Sequence, residues 1–250
     1  MTRRIVSLVP SVTQTLAALG AADLVVGVTD YCRDGAPPAA ARVGGTKNPD
    51  LDAVAALHPD VVVANTEENR PEDLDALRAA GVTVHETYPR TVADVEPLLR
   101  DLAAVAGDPV AAEPLVADLA VAREEAARRV PQPRVVAVTL VWRRPWRAVG
   151  PDTYVDDLLW QCGFANALAG WDDRYPRLEP GLLLGADVVL LPSEPYAFGP
   201  DDRDAVADLV GDDVAQRFVD GALLTWHGAR TAEALRTFSA LAAELVASAG

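Results

Sequence analysis

The sequence predicts an α/β fold of two lobes with central parallel sheets, joined by a single long interlobe helix. Three observations predict it. Short apolar runs alternate with helical stretches, the signature of βαβ units. The alternation pauses near residue 108 and restarts near residue 134. Between the two runs, residues 109–130 are rich in Ala, Glu and Arg and contain no glycine.

The elements follow in order. Residues 4–8 are strand-like, and Ser11 is placed to cap a helix over 12–19 that stops at Gly20. A second strand over 25–28 enters a loop through Tyr31 and Cys32. A short helix over 50–57 ends at His58-Pro59, and a third strand covers 61–64. A helix over 71–80 carries Pro71 in its first turn and Gly81 beyond its end. A fourth strand over 82–86 and a helix over 91–106 complete the first run. A helix over the next stretch would span roughly 33 Å at about 1.5 Å per residue, more than one α/β layer needs. Pro114 implies a kink there or a start nearer Ala112, and Pro131-Gln132-Pro133 stops the helix. The second run has a strand over 134–140, a helix over 153–162 ended by Gly163, and a short helix over 179–184. A strand over 187–191, a helix over 202–209, a short strand over 222–225 and a closing helix over 231–247, capped by Thr231, follow. Both lobes are therefore Rossmann-like, divided as 1–107, a linking helix over 108–131, and 132–250.

Composition narrows the function. Half of the 250 residues are hydrophobic, enough for a real core. A net charge of −15 excludes nucleic acid as a partner and disfavours an anionic membrane surface. No run approaches the roughly 18 apolar residues of a membrane span, so no membrane insertion is expected. Cys32 and Cys162 form no CxxC motif, and Cys162 reads as a small buried hydrophobe. Thr2-Arg3-Arg4 leads into an apolar run that ends at Pro10, too short for a secretory leader. A cytoplasmic monomer is therefore expected, or an extracytoplasmic one if a leader has been removed.

Motifs of catalysis are missing. No GxGxxG follows a strand, Gly44-Gly45-Thr46-Lys47 has P-loop residue types in the wrong order, and no GxSxG elbow occurs. Ser193 reads as a loop polar group. His58 and His85 read as structural, and only His227 sits in a polar loop, so no zinc set and no metal site is expected. Glu67 and Glu68 follow the third strand and suit either a solvated loop, ligand contact or acid–base chemistry. An enzyme using Glu67, Glu68 and His227 is one alternative, and an intracellular sensing or partner-binding module another.

The aromatics point elsewhere. Loops that follow parallel strands gather at one sheet edge, where α/β proteins bind ligands. Tyr31, Tyr88, Trp142, Trp146, Tyr175, Tyr196, Phe198 and Trp226 all fall in such loops. Large rings at loop tips ask for a cover, and a bulky, partly apolar ligand supplies one. Arg70, Arg90, Arg143, Arg147 and Arg230 lie among them and suit carboxylates, amides or phosphate.

Four stretches carry a family resemblance: Arg4-Ile5-Val6-Ser7-Leu8-Val9-Pro10-Ser11, Leu57-His58-Pro59-Asp60-Val61-Val62, Leu77-Arg78-Ala79-Ala80-Gly81-Val82 and Gly185-Ala186-Asp187-Val188-Val189. With them the chain resembles the helical-backbone (class III) substrate-binding proteins of ABC importers, the cobalamin and siderophore receptors, and looks most like the vitamin B12-binding branch. The resemblance implies a non-catalytic protein with no covalently bound cofactor. Its ligand would be cobalamin, another corrinoid or a ferric chelate, held in the interlobe cleft for uptake, storage or delivery. Tyr31, Trp146, Tyr175 and Trp226 would line that cleft, with Arg230 beside Trp226. Thr46 and Asn65 align where the cobalamin receptors carry tryptophan, so the first-lobe wall is more polar, with Lys47, Glu67, Asn69 and Arg70 nearby. Tyr88, Trp142, Tyr196 and His227 complete the expected ligand-binding set. Glu72 in the first lobe and Asp202, or Asp201 beside it, in the second would dock an ABC permease.

Overall fold

The computed structural model describes residues 3–181 and 184–249. The chain forms two compact units. The first comprises Met1–Pro89, Ala93–Ala117 and His227–Ala229, and the second Arg90–Val92, Asp118–Trp226 and Arg230–Gly250.

The first unit contains β1 (Ile5–Ser7), α1 (Pro10–Ala18), β2 (Val25–Val28), β3 (Ala41–Arg42), β4 (Gly44–Gly45), β5 (Asn48–Pro49), α2 (Leu51–Ala56), β6 (Val61–Asn65), α3 (Pro71–Ala79), β7 (Val84–Thr87) and α4 (Val95–Ala106). Its main sheet has the order β3-β2-β1-β6-β7, with every pair parallel, and β4-β5 is a small hairpin. β1 and β6 are buried throughout, which is why they read as unbroken Val/Ile runs. Val6, Leu8, Val43, Val54, Val62, Leu74 and Leu77 pack together as one core.

The boundary between the units falls inside α5 (Glu113–Arg129). The second unit then contains β8 (Val135–Arg143), β9 (Trp146–Ala148), α6 (Tyr154–Gln161), β10 (Phe164–Asn166), β11 (Val188–Pro192), α7 (Arg203–Val210), β12 (Ala215–Val219), α8 (Gly221–Thr225) and α9 (Thr231–Ala249). Its sheet has the parallel order β10-β8-β11-β12, and β9 folds back antiparallel on β8.

Several local expectations change. Ser11 does not cap α1: the helix starts at Pro10, whose fixed φ suits a first turn, and Val9 precedes it without a side-chain cap. Asp50 does cap α2, accepting from the Ala53 amide at 2.9 Å. Gly107, at φ 90°, closes α4 in the left-handed region. The linking helix is shorter than the composition suggests, 17 residues, because Pro109–Ala112 forms a separate 3₁₀ turn. Pro114 sits in the first turn of α5, where its missing N–H costs nothing, so it begins the helix instead of kinking it. The strand expected over 222–225 is helix α8, capped by Asp220, which accepts from the Leu223 amide at 3.0 Å. The true strand there is β12, upstream. The helix expected over 179–184 lies partly outside the described residues, and Pro180–Gly181 forms a turn. Cys162 is a buried hydrophobe as expected, and burial pushes its thiol up to about 12.

Candidate functional site

In the first unit the carboxyl ends of the parallel strands gather most of the expected residues. Tyr31 follows β2 and is 62% exposed; Tyr88 follows β7 and is 43% exposed. Thr46 and Lys47 form the tip of the β4-β5 hairpin, and Lys47 Nζ donates to the Glu67 carbonyl at 2.5 Å. Glu67 is half-buried, while Lys47, Glu68 and Arg70 are exposed.

Asn65 and Asn69 are internal ties. Both are buried. Asn65 Oδ1 accepts from the amides of Glu67 at 2.9 Å and Glu68 at 3.3 Å. Asn69 Oδ1 accepts from the Asn65 amide at 2.9 Å, and Asn69 Nδ2 donates to the carbonyls of Thr46 at 2.9 Å and Leu8 at 3.3 Å. Their polar groups are consumed in fixing the 66–70 loop, so they shape the edge without presenting an amide to a ligand.

His227 belongs to this unit although it lies far along the chain. Asn65 Nδ2 stands 3.4 Å from its Nε2. An amide nitrogen can only donate there, which requires a neutral ring. Burial lowers the His227 pKa to about 4, in agreement. Next to it, Gly228 adopts φ 117°, and a Cβ at that position would stand 2.2 Å from Thr15 Oγ1. The Ala229 amide donates to the same oxygen at 3.2 Å.

In the second unit the carboxyl edge is aromatic. β8 and β9 form an arm whose cross-strand partners are Trp142 with Arg147 and Arg143 with Trp146. The loop after β11 supplies Tyr196 and Phe198. Trp142 meets Tyr196 edge-on with centroids 5.8 Å apart, and Trp146 lies parallel to Phe198 at 6.4 Å. Tyr196 and Phe198 are 4.7 Å apart, and together the four rings form one platform. Trp142 is 44% exposed, while Trp146 and Tyr196 are half-buried.

Asp202 holds this platform. Its carboxylate pairs with Arg143, accepts from Tyr196 OH at 3.3 Å and accepts from the Gly199 amide at 2.9 Å. Arg143 in turn lies 5.8 Å from the Trp146 ring centroid. Asp202 is 4% exposed, which corrects its expected role as a docking acid; Asp201 beside it is exposed. No local sequence signal marked Asp202 as a tie, because Arg143 lies 59 residues away.

The remaining residues are placed as follows. Tyr175 is half-buried, its carbonyl accepts from Arg147 at 2.7 Å, and Arg174 lies 5.8 Å from its ring centroid. Trp226 is half-buried at the end of α8. Arg230 is bound to Glu233 at 2.9 Å and Asp220 at 3.5 Å. Glu72 is exposed in the first turn of α3. Among the described residues, no group of three or more His, Cys, Asp and Glu could hold a metal ion. No helix among them is long and apolar enough to cross a membrane.

The sequence profile described as "Periplasmic binding protein" matches residues 5–184. The chain belongs to the periplasmic binding protein family. Within the family, the vitamin B12-binding protein of Vibrio cholerae serotype O1 is 28% identical over 109 residues, 42% of this chain and 39% of that protein. The vitamin B12-binding protein of Vibrio parahaemolyticus serotype O3:K6 is 24% identical over 183 residues, 70% of this chain and 65% of that protein. The chain thus covers under two thirds of either relative's length. The periplasmic heme-binding protein RhuT from Roseiflexus sp. RS-1 superposes with a TM-score of 0.83 at 25% identity, covering 98% of this chain and 99% of that one. The periplasmic vitamin B12-binding protein BtuF of Vibrio cholerae shares the fold, with a TM-score of 0.80 at 22% identity over 96% of this chain and 97% of that one.

The family is one of binding proteins, and these relatives are substrate-binding proteins and not enzymes, so the catalytic alternative built on Glu67, Glu68 and His227 is set aside. The expected cytoplasmic location is overturned by the same finding: these relatives are periplasmic, and an extracytoplasmic place goes with the family. The cytoplasmic expectation rested on residues 2–10, whose apolar run is strand β1 and the entry to α1. The intracellular sensing module falls with it.

Proposed function

We propose that this protein binds a metal chelate built on a large, flat macrocycle, a corrinoid or a heme, and delivers it to an ABC importer. The observation that carries this reading is the cluster of Trp142, Trp146, Tyr196 and Phe198, with Phe198 buried and Trp142 exposed, held at a carboxyl sheet edge by the pair of half-buried Arg143 and buried Asp202. A rigid aromatic surface gives a flat ligand contact area at little entropic cost. The names of the relatives, vitamin B12-binding and heme-binding proteins, support the same two ligand classes. The first unit's own edge carries the exposed rings of Tyr31 and Tyr88 and the polar groups of Lys47, Glu67 and Arg70, with Thr46 and Asn65 where tryptophan would favour cobalamin. Glu72, exposed on α3, and Asp201 are the acids we assign to permease docking.

Titration of the purified protein with cyanocobalamin, dicyanocobinamide, hemin and a ferric siderophore, followed by calorimetry and visible absorbance, tests the reading. One of the macrocycles should bind with a spectral shift, and Trp146→Ala should weaken it about tenfold or more, the range of a buried aromatic anchor. Failure of all the macrocycles to bind would remove the proposal, and binding of the siderophore alone would replace it.

A further inference from the structure

Tyr31 is the most exposed aromatic side chain among the described residues, at 62%. Its flanks contrast with it. Thr29 and Cys32 are fully buried, so the ring stands at the tip of a four-residue turn, Thr29-Asp30-Tyr31-Cys32, rooted at both ends. The Cys32 amide donates to the Thr29 carbonyl at 3.1 Å and closes the turn. Neither central residue is glycine or proline, whose backbones favour a turn by themselves, so its shape depends on the bonds made to it.

Those bonds come largely from one short segment. β3 is an edge strand of its sheet, and Arg42 on it stands opposite Val28, the last residue of β2 before the turn. A single guanidinium nitrogen, Nη1, donates to both ends of the turn, to the Thr29 carbonyl at 2.8 Å and the Cys32 carbonyl at 2.7 Å. Nη1 carries two N–H groups, so each carbonyl receives its own. Two residues on, the Gly44 carbonyl accepts from the Asp30 amide at 2.8 Å. Gly45 gives the ring its seat: a Cβ there would stand 3.6 Å from Tyr31 Cε2, an ordinary contact distance. From beneath, Cys32 Sγ lies 3.1 Å from Oγ1 of both Thr13 and Thr29. The turn is fixed on two sides while the ring is left open. A ring on a loose turn has to be ordered when a ligand arrives, and that ordering costs affinity.

We propose that Arg42 is a positioning residue for ligand binding: it makes no contact with the ligand and acts by holding the turn that presents Tyr31. This rests on the macrocycle reading above. The first test needs no ligand. Amide nitrogen relaxation on the full chain should give Tyr31 an order parameter of about 0.85, and Arg42→Gln should lower it below about 0.6. The second uses whichever of cyanocobalamin, dicyanocobinamide or hemin the unsubstituted protein binds. Calorimetry should show Arg42→Gln weakening that macrocycle about fivefold, the range for ordering one large side chain. Tyr31→Ala should weaken it at least as much. Arg42→Gln added to Tyr31→Ala should then change the affinity by less than about twofold, because the arginine acts only through that ring. Added to Trp146→Ala, in the other unit, it should keep its effect of about fivefold. A loss that only reflected a weakened fold would show in both backgrounds alike. Circular dichroism checks that the variants fold; should Arg42→Gln fail, Arg42→Lys, which keeps a donor without the rigid fork, enters the same comparisons. An ordered Tyr31 in the Arg42 variant, an unchanged affinity, or an undiminished loss in the Tyr31→Ala background overturns the proposal and leaves the macrocycle reading standing. Failure of the unsubstituted protein to bind any of the three overturns both.

Discussion

Asp202 shows how much one residue can decide. Three donors converge on its carboxylate, from Arg143, Tyr196 and Gly199, and two of them carry or adjoin platform rings. Replacing it with alanine leaves the Arg143 charge half-buried without its partner, which is costly. Asp202→Ala should lower stability by about 2 kcal/mol, discounted from the fully buried case because Arg143 keeps some access to water. Urea unfolding followed by tryptophan fluorescence checks this, and a red-shifted folded-state spectrum should accompany the loss as Trp142 and Trp146 become wetter. An unchanged midpoint would show that the pair is incidental. His227 gives a prediction in pH. Its folded pKa is about 4, below the ordinary 6.5. Between those values the unfolded chain holds a proton that the folded chain does not, so stability falls as pH drops from about 6.5 to about 4. His227→Gln keeps a neutral side chain there and should reduce that acid loss by on the order of 1–3 kcal/mol. Urea midpoints of both proteins at pH 7 and pH 4.5 give the comparison, and identical acid losses would mean the ring is not neutralised by burial.

At the scale of elements, what could be read depended on burial. β1, β2, β6 and β11 were legible within one or two residues because strands buried on both sides are continuous apolar runs. β12 was not: Ala215–Val219 is a sheet-edge strand, largely half-buried, without a clean alternation. α8 was mistaken for a strand because Ala222-Leu223-Leu224-Thr225 is too short for periodicity to decide; the cap at Asp220 was the signal available. Loop residues at the candidate site were found through one topological rule, that carboxyl ends of parallel strands share an edge. The ties beneath them, Asn69 in one unit and Asp202 in the other, escaped because Leu8, Thr46 and Arg143 come from distant segments that no local pattern marks; Asn65, which accepts from the amides of Glu67 and Glu68, was a local turn signal. Asn69 makes the point testable. It joins the segment after β1, the β4-β5 hairpin and the end of β6. Asn69→Ala leaves buried backbone groups unpaired and should cost about 1–3 kcal/mol. Asn69→Asp should cost more, because its carboxylate would face the Thr46 and Leu8 carbonyls, which need a donor. Thermal unfolding ranks the two, and a milder effect for aspartate would contradict the assigned amide orientation.

For the whole molecule, the path of the chain matters more than the number of units. It passes from one unit to the other at five points, because residues 90–92 belong to the second unit and residues 227–229 to the first. Each of these short inserts is bonded within its adopted unit: Val92 N–H donates to Asp157 at 2.7 Å, and Ala229 N–H to Thr15 at 3.2 Å. Their flanks, on both sides, belong to the other unit. Unfolding one unit therefore releases an insert and frees both flanks in the other, so the two cores should melt together. All five tryptophans, at 142, 146, 160, 171 and 226, lie in the second unit. Tryptophan fluorescence thus follows that unit alone, whereas far-UV circular dichroism follows both. In urea the two signals should give coincident midpoints, the test of two-state behaviour. Gly228→Val should separate them. The substitution places a β-branched residue at φ 117° with its Cβ against Thr15 Oγ1, and so expels the 227–229 insert from the first unit. The dichroism midpoint should then fall below the fluorescence midpoint, because the first unit has lost its insert while the second keeps its own core. Separate midpoints already in the unsubstituted protein would mean that the units fold independently and that the inserts couple nothing.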